Sequence, residues 1–337
     1  MTISTLSTHL ASTASVRSSA LFHDSQKTFK NNRNSRYGGS LAFFYSALFV
    51  SPRQRCFDVV FFPWLFITLL AILLAILVAT NIITESKDRL PNTSFYTYGL
   101  TTTLALFLVF RLNRAAVRWW DARTFWGRMT ADYRSLASAI IIYNEDPTHA
   151  NEFLRWMLAF LVSTRCIMRG QKLTPSIVAG ILTLDEVTRT NANAHIGLVC
   201  THHARHHLKR SLPPSSPIVL LLNETVNSIA LSSGGLERIR GTPLPLAFVA
   251  HLRTFLLFYL VYFTVGVSIT NEWGPVGTVL ICTITSYCFL VIDGVASDSE
   301  APFAADRPHH LNTDGMVVAV IDQVTQILNT AVGTTTG

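Results

Sequence analysis

Residues 59–84 read VVFFPWLFITLLAILLAILVATNIIT and contain no charged side chain. A helix needs about 20 mostly apolar residues to cross the hydrocarbon core of a bilayer, so this stretch is long enough for one span. Three further stretches have the same character, namely residues 90–110, 254–271 and 273–292. The turn at 271–275 between the last two is too short for anything but a hairpin. The pattern predicts an all-α membrane protein with four transmembrane helices.

The composition of the 337 residues agrees with a surface that partly faces lipid. Hydrophobic residues make up 49% and charged residues only 14%, whereas an average soluble domain is about 25% charged. The formal net charge of +7 favours contact with anions, acidic lipid head groups or nucleic acid. Because the apolar residues are concentrated in blocks, we expect lipid and anions rather than nucleic acid as partners. The five cysteines form no Cys-x-x-Cys pair, so neither a zinc site nor a disulfide framework is indicated.

Positive residues are in excess before span one and after span two, but not in the loop between the two spans. Those before span one are Lys27, Lys30, Arg33, Arg36, Arg53 and Arg55. Those after span two are Arg111, Arg114, Arg118, Arg123 and Arg128. In the loop between the spans, Lys87 and Arg89 are balanced by Glu85 and Asp88. The positive-inside rule therefore places both ends and the long middle region on the cytoplasmic side, or on the equivalent side of an organelle.

The middle region, residues 111–245, is predicted to form a helical bundle on that same side. Residues 151–168 within it are apolar enough to raise the question of a fifth span, but Arg155 and Arg165 lie inside the stretch. An uncompensated arginine in a membrane costs several kcal/mol. We therefore interpret 151–168 as a helix buried in the soluble bundle.

Residues 1–38 are expected to lie outside the folded domain. Up to residue 35 the chain is rich in Ser, Thr, Asn and Arg, and Asp24 is its only acidic residue. This composition is typical of an organellar transit peptide, and a plain disordered tail is the alternative. The predicted channel-like domain is 39–330, followed by a tail at 331–337. The host membrane is accordingly that of an organelle such as a plastid or mitochondrion, with the plasma membrane as the alternative.

Three motifs resemble the bestrophin family of anion channels. The first, from Phe110 to Gly127, contains Phe-Arg-x-Asn, then Arg-Trp-Trp-Asp-x-Arg, then Trp-Gly. The second runs from Glu237 through Pro243 and Pro245 to His251 and leads into span three. The third is Glu300-Ala-Pro-Phe303, after span four. The likeness extends from about residue 39 to 328. For the motif residues we predict structural roles: Asn113, Trp119, Trp120, Asp121, Arg123, Pro243, Pro245, Glu300, Pro302 and Phe303.

The resemblance implies a ring-shaped homo-oligomer, a pentamer in this family, with span two around the axis. Thr102, Leu106 and Phe110 are spaced four residues apart and so lie on one helix face. The resemblance maps them onto the constricted neck of the pore, whereas packing against a neighbouring helix is the alternative for this face. Arg111, Arg114 and Arg118 would concentrate anions at the inner mouth, although some must pair with acids such as Asp121. The implied function is passive conduction of chloride, with bicarbonate as a further candidate, and no cofactor.

The chain also departs from the family pattern. Thr102 is polar where an apolar residue is usual, and Leu112 and Val117 replace the usual Thr and Tyr. After Phe303, residues 304–311 read AADRPHHL and lack the acidic run with which animal members bind calcium. The acidic residues of this region are scattered: Asp298, Glu300, Asp306 and Asp314. Because calcium needs six to eight oxygen ligands, gating by calcium is not expected.

Four histidines, His202, His203, His206 and His207, form two i,i+4 pairs if helical. That spacing is compatible with metal binding. With no adjacent cysteine or paired carboxylate, we interpret the segment as a solvated basic face and assign no metal site. No catalytic motif is present, so an enzyme is not predicted. Two other functions stay open, a secondary anion transporter and a non-conducting scaffold, although no repeated halves typical of transporters are visible.

Overall fold

The computed structural model describes residues 57–82, 93–193, 195–213, 215–270, 272–303 and 310–335. The helices of these residues are α1 (Phe57–Ala79), α2 (Thr93–Tyr143), α3 (Pro147–Met168), α4 (Leu184–Asn191), α5 (Ile196–Ser211), α6 (Pro217–Gly241), α7 (Leu246–Thr270), α8 (Gly274–Glu300) and α9 (Thr313–Thr335). The described residues contain no strand. The predicted leader and the divergent residues 304–309 lie outside them.

Four helices are long and apolar enough to cross a membrane: α1, α2, α7 and α8. The predicted all-α membrane protein is thereby confirmed. The predicted end of span two at Phe110 is not a helix end, because α2 continues without a break to Tyr143. Its 51 residues extend for about 76 Å at 1.5 Å per residue. The hydrocarbon core is about 30 Å thick, so only part of α2 can lie within it.

The chain divides into two compact units. The first, which we call the membrane unit, comprises the described residues within 39–120 and 242–302. Its core is formed where α1, α7, α8 and the first part of α2 pack together, around Ile67, Leu104, Leu108 and Leu256. Polar contacts also join these helices. The indole N–H of Trp64 donates to the carbonyl of Thr283 at 3.1 Å, and the hydroxyls of Thr101 and Tyr259 are 2.6 Å apart.

The second, which we call the helical unit, includes residues 121–241 and the described residues from 303 on. Its central element is α3, which is buried along most of its length. The helix begins where Asp146 accepts hydrogen bonds from the backbone N–H groups of Thr148 and His149, and Pro147 occupies the first turn. This is the helix for which a fifth span was considered, and its apolar side chains are buried by protein.

The two arginines inside α3 are both neutralised by carboxylates of the helical unit. Arg155 contacts Glu152 at 2.5 Å and Glu186 at 2.8 Å. Arg165 contacts Asp314 of α9 at 2.6 Å. Burial acts to raise the pKa of the Glu186 carboxyl, but hydrogen bonds from Arg155 and Thr183 outweigh it and lower the pKa to about 2. These pairs explain how an apolar, largely buried helix can carry two cations.

We expect Glu186→Gln to lower the free energy of unfolding at neutral pH by about 1–3 kcal/mol, the range for a lost hydrogen bond to a charged group. The Glu186 pKa lies below its ordinary value of 4.5. Its contribution is therefore complete above that pH and is lost as the pH falls through about 2. Melting temperatures of the purified protein at decreasing pH should show a shallower acid dependence in the variant.

Asp185→Asn is the matched control for this change. Asp185 pairs with Arg189 at 2.6 Å, but their side chains are 68% and 78% exposed. Such an exposed pair contributes less than about 1 kcal/mol. Equal losses of stability in the two variants would contradict the assigned role of Glu186.

A second stability prediction concerns two adjacent glycines of α6. A Cβ atom added at Gly235 would lie 2.7 Å from Cε1 and Cζ of Phe125, whereas one at Gly234 would meet nothing within 4 Å. We expect Gly235→Ala to cost about 1–3 kcal/mol through overpacking. We expect Gly234→Ala to gain up to about 1 kcal/mol through helix propensity. Thermal melting of the two variants measures the difference, and a tolerated Gly235→Ala would show that the Phe125 ring moves aside freely.

Candidate functional site

The three residues predicted to form a pore neck lie on an exposed face of α2. Leu106 is 52% and Phe110 is 55% exposed, and Thr102 is exposed one turn before them. The opposite side of this helix is buried, with Leu104 and Leu108 at 0% and 1% exposure. Four residues of helix rise about 6 Å, so the three side chains form successive levels along the helix. We call these three residues the neck face.

The polarity of the exposed face changes along the helix. The Thr102 hydroxyl donates to the carbonyl of Tyr98 at 2.8 Å, so its proton is already used within the helix. Leu106 and Phe110 add two apolar levels. Beyond them, Asn113 and Arg114 are exposed as well. A short apolar section is therefore followed by polar side chains on one continuous face.

Near Leu106 and Phe110, the α2 helix packs against α7. The rings of Phe107 and Phe255 meet edge to face, with centroids 6.4 Å apart. Phe107 therefore contacts α7 with one edge of its ring, although 41% of the residue is exposed. The neck face has no comparable cover within the described part of the membrane unit.

Arg111 is not located where an anion-attracting side chain would have to be. The residue is 0% exposed, and its guanidinium forms ion pairs with Asp293 and Glu300 of α8. Nε lies 3.1 Å from the Glu300 carboxylate, and Nη2 donates to the Ser297 hydroxyl at 2.9 Å. A buried cation neutralised by two carboxylates exerts little attraction on ions in solution. The prediction for Arg111 is therefore replaced by a structural role.

The partners of Arg111 come from one face of α8. Asp293, Ser297 and Glu300 are spaced i, i+4 and i+7, which aligns them on one side of a helix. Arg253 of α7 shares two of them, contacting Asp293 at 3.0 Å and Ser297 at 2.8 Å. From the sequence alone, Asp293 was interpreted only as the residue at which span four ends. The polar i, i+4, i+7 spacing was the signal that could have identified this cluster.

The other two arginines differ from Arg111. Arg118 donates to the carbonyl of Glu300 at 2.9 Å and to that of Thr242 at 2.5 Å. It therefore contacts the segments before α7 and at the end of α8. Arg114 is exposed. The acids that pair with this arginine group are Asp293 and Glu300, whereas Asp121 was the expected partner.

The aromatic pair of the first motif lies one turn after Ala115. The rings of Trp119 and Trp120 are 5.2 Å apart in an edge-to-face arrangement, and Trp120 is 63% exposed. An exposed indole near the end of an apolar helix suits the water–lipid interface. Asp121 and Arg123 are exposed on the following turn.

The motif prolines mark helix ends. Pro243 and Pro245 precede α7, and the carbonyl of Pro245 accepts the backbone N–H groups of Phe248 and Val249. Pro302 follows Glu300, the last residue of α8, and is buried. Phe303, the first residue of the next part of the helical unit, is 5% exposed. The motif residues are thus largely explained by how helices begin, end and pack.

Comparison with known proteins places this architecture in a family. The sequence model described as Bacterial/Fungal Bestrophin protein matches residues 42–326. A voltage-dependent anion channel-forming protein of Mesorhizobium japonicum, mll4386, is 30% identical over 221 residues, which cover 65% of this chain and 70% of that protein. The voltage-dependent anion channel-forming protein YneE of Escherichia coli K12 is 28% identical over 212 residues, 62% of this chain and 68% of YneE.

The fold agrees with solved structures. A bacterial bestrophin homologue from Klebsiella pneumoniae superimposes with a TM-score of 0.65 at 21% identity, over 79% of this chain and 98% of that one. With a family model that covers most of the sequence, and with the four apolar helices in place, the chain belongs to the bestrophin family.

Proposed function

We propose that this chain is a subunit of an anion channel in which copies of α2 surround the conduction path. The permeant ions would be small monovalent anions, with chloride first and bicarbonate as a further candidate. Conduction would be passive, since nothing in the described residues resembles a site for a coupled reaction. The host compartment stays a prediction from the leader, which lies outside the described residues.

The neck face is the observation that carries this proposal. A helix packed on one side and exposed on the other can face either lipid or a water-filled path. A purely lipid-facing side has no use for the exposed Asn113 and Arg114 directly after two apolar levels. A conduction path does, because polar residues keep its entrances wet while rings of apolar side chains can gate by expelling water.

A ring of subunits follows from the same geometry. One copy of α2 supplies a single apolar wall and cannot enclose a path. Several copies around an axis would bring Leu106 and Phe110 into stacked rings, and the family resemblance makes five the proposed number. The aromatic edge of Phe110 is weakly positive and would tolerate an anion better than a cation. The relatives named as anion channel-forming proteins support the choice of anions.

Among the three arginines, Arg114 is the proposed anion-attracting residue. Arg111 is neutralised by Asp293 and Glu300, and Arg118 is engaged with two backbone carbonyls. Arg114 is exposed one turn beyond Phe110 on α2. A charge in this position raises the local concentration of anions at the mouth of the path.

Chloride efflux from liposomes that contain the purified protein is the decisive measurement. We expect fast efflux of chloride and little efflux of gluconate. Phe110→Ala should change the rate or the selectivity, because it removes the proposed aromatic ring of the neck. Leu106→Ala should act in the same direction.

Phe258→Ala is the matched control, because Phe258 of α7 is 71% exposed but lies outside the neck face. This variant should leave both rate and selectivity unchanged. A secondary transporter would tolerate Phe110→Ala, and a scaffold would show no flux to change. Equal effects of Phe110→Ala and Phe258→Ala would contradict the proposal that α2 forms the neck of the pore.

Arg114→Gln should reduce chloride flux at low ionic strength, with a smaller reduction at high ionic strength. The reason is screening, since the Debye length falls from about 30 Å at 0.01 M to about 8 Å at 0.15 M salt. Conductance measured over a series of salt concentrations tests this. A reduction that does not depend on salt would assign Arg114 to packing instead of attraction.

A further inference from the structure

The geometry points to a binding site for a divalent transition-metal ion between His149 of α3 and His207 of α5, in the helical unit. The Nδ1 atoms of the two imidazoles are 3.1 Å apart, which is a hydrogen-bond distance, so without an ion one ring donates to the other. The ring centroids are 5.3 Å apart and the planes are tilted by 45°, so the rings meet at their edges. The inference is independent of the proposed channel function.

The distance between the two nitrogens fits shared coordination of one ion. Imidazole nitrogens lie about 2.0–2.1 Å from a bound metal, which places two of them about 3.4 Å apart at a tetrahedral angle and about 2.9 Å apart at a right angle. The observed 3.1 Å lies between these values. Tetrahedral geometry suits Zn²⁺ and square-planar geometry suits Cu²⁺ or Ni²⁺, so all three are candidates.

The helices hold the two histidines in this position. Two turns further along α3, the Trp156 ring stacks on His203 of α5 with centroids 4.3 Å apart. At the other end of the contact, the backbone N–H of Glu145 donates to the carbonyl of Ser211 at 2.9 Å. The helices are therefore antiparallel and are pinned on both sides of the His149–His207 pair. A preformed pair loses little entropy when it binds an ion.

A carboxylate next to His149 favours the tautomer that a metal needs. Oδ2 of Asp146 lies 4.0 Å from Nε2 of His149. Asp146 is itself held as the cap of α3, because it accepts the backbone N–H of Thr148 at 2.8 Å. At 4.0 Å this contact is electrostatic and not a hydrogen bond, and a negative charge on this side favours the proton on Nε2 over one on Nδ1.

The charge of the surroundings also favours a cation. Arg155 contacts both Glu152 and Glu186 and leaves this group with a net negative charge. Because Glu152 is held by Arg155 at 2.5 Å, it does not serve as a further ligand.

The site therefore supplies two protein ligands, and water completes the coordination. Among the described residues, no group of three or more His, Cys, Asp or Glu side chains is arranged to hold a metal ion. A site of two imidazoles and water is typical of weakly held, exchangeable ions, in contrast to closed structural zinc sites with four protein ligands. His149 is partly exposed, so an ion can enter from solvent.

Titration of the full-length protein with Cu²⁺ or Ni²⁺ alone tests the site. The detergent-purified protein would first be stripped with a chelator and then followed by calorimetry and by electron paramagnetic resonance of Cu²⁺. We expect one ion per chain with a nitrogen-ligand signature. His149→Ala and His207→Ala should each weaken binding by about tenfold or more, since even outer-shell changes cost 10–100-fold.

His202→Ala and His206→Ala are the controls, since both residues are exposed on α5. Binding that survives the two site variants but is lost in these controls would assign the metal to the i,i+4 pair and overturn the proposal. Undiminished binding in the double variant of His149 and His207 would overturn it as well. Should either alanine variant lose helical structure, the glutamine variants retain a polar group at the same edge and must show the same loss of metal.

Discussion

The buried guanidinium of Arg111 is the contact on which the geometry of the membrane unit depends. Its pairing with Asp293 and Glu300 joins α2 to α8 through charges that no water shields. Removing one partner of a buried ion pair typically costs about 3–5 kcal/mol, because a charge is left without compensation. The contact therefore permits one rotation of α2 about its axis and penalises the others.

That rotation decides which residues are exposed. Successive residues of a helix are about 100° apart, so Arg111 points about 100° away from Phe110, 140° from Leu106 and 180° from Thr102. Fixing Arg111 against α8 turns all three residues of the neck face away from α8. The Phe-Arg-x-Asn motif then has a mechanical meaning, in which its arginine orients the helix and the preceding turns carry the proposed neck.

The sequence pattern predicts those features of the fold that depend on neighbouring residues. The apolar stretches of α1, α7 and α8 are visible because crossing a bilayer requires a length of apolar residues. It could not find the pairing of Arg111 with Glu300, which are 189 positions apart. The contact of His207 was not predictable either. Its spacing suggested a pair with His203 on the same helix, whereas the structure places it against His149, 58 positions away. Hydropathy also did not show that α2 continues past Phe110, because the residues that follow are polar. The helix continues nevertheless, and it contains no Pro that would end it.

Arginines within apolar helices illustrate that carboxylate partners, and not hydropathy, decide whether such a helix can carry a cation away from water. Arg155 and Arg165 of α3 are paired with Glu186 and Asp314. Arg111 of α2 is paired with carboxylates of α8. In each case the cation is tolerated because acids from a different helix reach it. The sequence predicted a buried helix for Arg155 and Arg165, but it predicted neither their partners nor the burial of Arg111.

Thr102 shows how a departure from the family pattern can be compatible with the proposed neck. An additional hydrogen-bond donor in a narrow path would bind a chloride ion and slow its exit. The Thr102 hydroxyl, however, donates to the carbonyl of Tyr98 and so offers no proton to a passing ion. Rapid conduction needs contacts weak enough to let the ion leave. At this level of the proposed path, Thr102 is therefore less polar toward a passing anion than its residue type suggests. In this respect it is closer to the apolar side chain that it replaces.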